Sequence, residues 1–288
     1  MCHSPWARAA LSLSTVAGIV MASVGQPAMA IAEPSTEKSR VVMGKASKGA
    51  DVSTRSRAVD QLPLGDLPGW RQVFLEDFAE PAPRGEFLEI YKDRWGAYKE
   101  GWKDTSGNGT YSPSRVLSVK DGNLDFLLHS EDTKSFVAAP FPKIPDAAKR
   151  YGRYSVRFRA DAVEGYKVAW LLWPESDAWS EGEIDFPEGR LTRTIKGYSH
   201  CVDRPRDNCL GIDTGASFQE WHVATTEWTA GRVTFYLDGL QVGTTTRSVP
   251  STPMRWVLQT ETRVAADAPD TDARGHVEVD WVAAWARD

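Results

Sequence analysis

From Trp70 onward the chain alternates apolar and polar residues with a period of two. The runs Tyr154-Ser-Val156-Arg-Phe158-Arg159 and Val233-Thr-Phe235-Tyr-Leu237 put their large apolar side chains on one face, as a half-buried strand does and a helix does not. Turn dipeptides such as Asp121-Gly122 and Asp238-Gly239 separate these runs. Candidate strands follow one another from Arg71–Phe78 to Val277–Trp285, and only Pro145 to Arg150 reads as helix. Many short strands without helices predict an all-β fold, a two-sheet antiparallel β-jelly-roll sandwich.

The first 69 residues carry no such pattern. Arg8 precedes an apolar or small stretch from Ala9 to Val24, and Ala28-Met29-Ala30 fits a small-residue cleavage site, with Ala30-Ile31-Ala32 as a second. Between Ile31 and Gly69 there is no Phe, Trp or Tyr, whereas 11 of the 12 Trp lie from Trp70 onward. A segment without apolar periodicity cannot offset its ordering entropy by burial. The expected organisation is a signal peptide at 1–30, a disordered linker at 31–69 and one folded domain at 70–288. No later stretch is apolar enough for a membrane span, so a secreted, extracellular protein is expected. The mature chain retains Cys201 and Cys209, close in sequence, and a disulfide between them is expected in an oxidising compartment.

With 34 Lys+Arg against 39 Asp+Glu, the chain lacks the basic footprint of a nucleic-acid or anionic-membrane binder. Its abundant Trp suits stacking on flat apolar partners.

The chemistry concentrates in Gly182-Glu183-Ile184-Asp185-Phe186-Pro187-Glu188-Gly189. In a regular strand Glu183 and Asp185 share a face, while Glu188, at an odd offset, points the other way. One extra residue inserted as a β-bulge restores the parity, and Pro187 stands where proline is tolerated in a strand. Three carboxyls on one face raise at least one pKa, so that one stays protonated while another ionises. That division of labour suits glycoside hydrolysis, in which one carboxyl protonates the leaving oxygen and the other attacks the sugar.

The run Glu183-Ile-Asp185-Phe-Pro-Glu188 resembles the Glu-x-Asp-x-x-Glu signature of glycoside hydrolase family 16 in its bulged, laminarinase-like form. The segments Tyr151-Gly-Arg-Tyr154, Ala169-Trp-Leu-Leu-Trp173 and Trp221-His222 match as well. The resemblance implies a concanavalin A-like jelly roll with a concave substrate cleft. It implies Glu183 as nucleophile, Glu188 as general acid/base and Asp185 as the residue that tunes the nucleophile. It also points to Trp170, Trp179, His200, Gln259 and Glu261 as substrate contacts, while Trp221 and Trp228 read as core. The terminal Asp280, with Glu76 and the carbonyl of Gly122, resembles a structural calcium site; the chemistry itself requires no cofactor. The expected partner is a polysaccharide, with β-1,3-glucan or mixed-linkage β-glucan preferred, and the protein is expected to be monomeric. A galactan hydrolase, a transglycosylase and a non-catalytic lectin are the other uses of this sandwich. Basic residues after the motif, Arg190, Arg193, Lys196, Arg204 and Arg206, leave substrate charge open.

Overall fold

A computed structural model describes residues 61–263 and 267–287; the expected signal peptide and residues 31–60 of the expected linker lie outside the described residues. In chain order the strands begin with β1 (Trp70–Glu76), β2 (Trp95–Ala97), β3 (Gly109–Tyr111), β4 (Leu117–Lys120) and β5 (Asn123–Glu131). They continue as β6 (Lys134–Val137), β7 (Pro140–Pro142), β8 (Gly152–Ala160), β9 (Tyr166–Pro174), β10 (Glu183–Arg190) and β11 (Thr194–Cys201). The series closes with β12 (Arg204–Ser217), β13 (His222–Thr229), β14 (Arg232–Leu237), β15 (Leu240–Thr245), β16 (Met254–Thr262) and β17 (Arg274–Arg287). Two one-turn helices, α1 (Phe87–Ile90) and α2 (Pro113–Val116), were not visible in the sequence pattern, and a 3-10 turn at Asp146–Ala148 lies within the stretch read as helical.

The strands form a ten-stranded sheet, with β15-β14-β13-β8-β17-β5-β6-β3 as its path, and a five-stranded sheet ordered β12-β11-β10-β9-β16. In β8 the alternation read from sequence is realised directly, with Tyr154, Val156 and Phe158 buried and Arg153, Arg157 and Arg159 turned outward. Aromatic pairs join the two sheets. Phe158 of β8 meets Trp170 of β9 at 5.0 Å between ring centroids, Tyr154 meets Trp256 of β16 at 5.5 Å, and Phe235 of β14 stacks on Phe186 of β10 at 4.9 Å. Such contacts add to the burial of each ring, and they fix the depth at which β9, β10 and β16 sit.

Two core expectations need correction. Trp228 is fully buried, but Trp221 is not a core residue: Arg157 and Arg159 cover its ring at 4.4 and 4.8 Å. The last nine residues of the expected linker, 61–69, are part of the fold. Leu62 and Leu67 pack on a separate cluster of Trp70, Val223, Trp281, Ala283 and Trp285. Trp285 Nε1–H donates to the Gly65 carbonyl at 3.0 Å, and Gln72 Nε2–H donates to the Pro63 carbonyl at 2.7 Å. The segment covers large indoles that would otherwise face water.

Candidate active site

Strand β10 lies at the middle of the five-stranded sheet and carries the acidic run. Against β11 its register runs Glu183↔His200, Asp185↔Tyr198 and Glu188↔Lys196; against β9 it runs Asp185↔Leu171 and Glu188↔Ala169. Three steps on β10 thus match two on each neighbour, which is the expected bulge. Ile184 and Phe186 are buried in the core while Glu183, Asp185 and Glu188 share the opposite face. The Phe186–Pro187 peptide is cis. Across from the bulge stands Gly197, where a Cβ would lie 2.8 Å from the Phe186 ring, so the absence of a side chain admits the displaced residue. Gly189, at φ +149, closes the far side, because a Cβ there would meet the Thr194 carbonyl at 2.9 Å.

Around Glu183 the contacts are specific. Trp179 Nε1–H donates to Glu183 Oε2 at 2.6 Å, and the same indole lies edge-on to His200 at 6.0 Å. Glu183, Asp185 and His200 each bring one polar atom within 4.8 Å of the others. His200 Nδ1 is 2.6 Å from the Pro205 carbonyl, which only accepts, so Nδ1 carries a proton and Nε2 faces Asp185. Nε2 lies 3.2 Å from Asp185 Oδ2, but off-line, and that buried oxygen has no aligned donor among the described residues. Burial, reinforced by the neighbouring Asp185 charge, pushes the Glu183 carboxyl up to about 9. Burial and then the charge of Glu188 push Asp185 well above the usual carboxylate range. The Glu183–Asp185 pair therefore shares a proton at neutral pH that either acid alone in water would have lost.

Glu188 has a different neighbour. Lys167 Nζ sits 3.1 Å from Glu188 Oε1 and 3.5 Å from Glu261 Oε2. Burial alone lowers an ammonium's pKa, but here the charges of Glu188, Glu261 and Asp185 outweigh it and raise that of Lys167.

The family model described as "Glycosyl hydrolases family 16" matches residues 108–283. The chain belongs to this family. The β-glucanase of Paenibacillus polymyxa is 23% identical over 190 residues, covering 61% of this chain and 75% of that protein. The solved structure of a non-specific endo-β-1,3(4)-glucanase of family 16 superposes with a TM-score of 0.62 at 21% identity, covering 78% of this chain and 94% of that one. The Bacillus licheniformis β-glucanase does so with a TM-score of 0.59 at 17% identity, covering 75% and 98%. These two likenesses concern the fold, which is the family 16 jelly roll, and membership makes the protein a glycoside hydrolase.

The remaining family-derived expectations divide. Trp179 and His200 lie beside Glu183, as described. Gln259 of β16 stands opposite Ala169, on the side shared with Glu261 and Lys167. Glu261 is almost fully buried and accepts hydrogen bonds from Thr105 and from Tyr111 Oη at 3.1 Å, so it braces the loop over β16 rather than offering a free carboxylate. Trp170 is a correction: it is a core residue with no solvent-accessible surface. Lys167 faces the acids, and an offset of six places Trp173 with it, while Trp170 points into the sandwich. Trp173 is the aromatic that β9 contributes to the acidic face, with Nε1–H donating to Asp177 Oδ1 at 3.1 Å. The sequence signal was Lys167, a lone charge in an otherwise apolar strand.

The expected disulfide is present, joining Cys201 to Cys209 with their Cα atoms 5.2 Å apart. Of the expected calcium ligands, the carboxylates Glu76 and Asp280 are each paired with an arginine. Glu76 accepts from Arg94 Nε at 2.8 Å and Trp95 Nε1 at 3.2 Å, while Asp280 pairs with Arg157 at 2.7 Å. Carboxylates already neutralised by arginine are poor hard-cation ligands.

Proposed function

We propose that the protein is a secreted, retaining endo-hydrolase of β-1,3-glucan or mixed-linkage β-glucan. The observation that carries the reading is the row Glu183, Asp185 and Glu188, brought onto one face by the bulge. The β-glucanase and the family 16 endo-β-1,3(4)-glucanase to which the chain is similar support the choice of substrate, and the disulfide suits an exported protein.

In this reading Glu183 attacks the anomeric carbon and Glu188 delivers a proton to the departing glycosidic oxygen. Glu188 then takes a proton from the water that releases the glycosyl-enzyme. Attack requires an ionised Glu183, although burial keeps it protonated in the free site. Asp185 stands next to it as the acceptor for that proton, and positive charge developing on the sugar favours the same transfer. The Trp179 N–H holds one oxygen of Glu183, leaving the other for attack.

Azide rescue tests the roles. Glu188→Ala should lose activity on laminarin yet still form the glycosyl-enzyme from an aryl β-glycoside with a good leaving group, and azide should release it as the β-glycosyl azide. An α-azide would overturn the assignment, because it implies direct displacement without Glu183. Loss of all turnover on β-glucans by the unaltered protein, with turnover on galactans, would overturn the substrate.

A further inference from the structure

Beside Glu188 the open face of the five-stranded sheet sinks into a pocket of about 590 Å³. Five cations line it: Lys167, Arg190, Arg193, Lys196 and Arg263. Among the described residues its carboxylates are only Glu188 and Asp213, so the described lining is positive in a chain whose net charge is −5. Three of the cations have partners. Lys167 is held between Glu188 and Glu261, Lys196 lies 3.7 Å from Asp213, and Arg263 lies 2.6 Å from Glu164. Arg190 and Arg193 have exposed side chains with no acidic partner among the described residues. Arg190 stands in register with Lys167, one row of side chains beyond the Glu188–Ala169 pair. A planar guanidinium at that distance from the reacting row can meet a group carried by the bound sugar.

We infer that this pocket receives an anionic substituent, a sulfate ester or a carboxylate, on the sugar unit nearest Glu188. A neutral hydroxyl would leave two arginines unmatched, whereas an anion is drawn to the open end of a cavity lined by like-signed cations. The inference deepens the reading of this face as a polysaccharide cleft and rests on it.

The test compares matched substrates. Native laminarin, laminarin bearing sulfate esters and carboxymethylated laminarin are hydrolysed by the unaltered protein and by Arg190→Gln/Arg193→Gln, at low salt and at about 1 M salt, where screening acts within roughly 3 Å. The expected result is a preference of about tenfold in kcat/KM for one or both charged forms, on the order of one charge-assisted contact. That preference, read as the ratio of charged to native kcat/KM, should vanish in the double variant and at high salt; the sulfate and carboxymethyl arms show which anion is preferred. Equal turnover of charged and neutral forms, or a preference that the double variant keeps, overturns the inference. Calorimetric binding to the Glu183→Gln protein separates it from the hydrolytic reading, using neutral and charged forms of both laminarin and a galactan. Tighter binding of the charged forms that depends on both arginines supports the pocket whatever the turnover. Equal binding on both backbones rejects it.

Discussion

Lys167 and Glu188 lie 3.1 Å apart across neighbouring strands, and the same ammonium reaches the buried Glu261 at 3.5 Å. One cation thus links the site to the loop that Glu261 braces. Lys167→Met should destabilise the fold by about 3 kcal/mol, the usual consequence of leaving a buried charge alone. Adding Glu261→Gln should restore part of that loss. Denaturant unfolding of the two single variants and the pair checks it; additive losses would mean that the contact carries no coupling.

The raised ionisation of Glu183 has a sign that can be followed in stability. The group moves from 4.5 to about 9 on folding, so the folded protein binds the proton more tightly than the unfolded chain. Its contribution is complete below pH 4.5, declines as pH rises and is gone above about 9. Glu183→Gln, which stays neutral, should gain in Tm over the unaltered protein progressively across that window, while losing hydrolysis by several orders of magnitude. A Tm difference constant from pH 4 to 9 would contradict the assignment.

Trp173 and Trp170 should respond to truncation in opposite ways. Trp170→Ala opens a cavity beneath β9 and should cost about 3–5 kcal/mol. Trp173→Ala should spare most of the stability and raise KM for polysaccharide. Thermal melts and steady-state kinetics on the same two proteins decide it, and an unchanged KM for Trp173→Ala would remove that ring from the substrate path.

A chain beginning at Trp70 should be less stable than one beginning at Gln61. Removing residues 61–69 uncovers Trp70 and Trp285 and takes away Leu62 and Leu67, a loss on the order of 2–3 kcal/mol. Equal Tm values would show the docking to be incidental.

Much of the architecture was legible because strand alternation reports directly on which side of a sheet is buried. The bulge was legible because a fixed parity mismatch between Glu183 and Glu188 had to be absorbed, and Pro187 marked where. Indoles were harder to place. Trp170 and Trp173 have equal hydrophobicity, and only the charge of Lys167 in the same strand decides between them. Trp221 read as core because its arginine cover comes from β8, distant in sequence. The docking of Leu62 and Leu67 left no periodic trace, since two isolated leucines suffice to cap a patch of tryptophan.

The Cys201–Cys209 bond closes a ring of backbone that contains Pro205, whose carbonyl fixes the proton on His200 Nδ1. That covalent closure therefore limits how far the Pro205 carbonyl can move from the imidazole it meets. With the two thiols reduced, the segment carrying Pro205 would be held by the β11–β12 ladder alone, so the histidine beside the buried acids would be braced by hydrogen bonds where it is now also braced by sulfur.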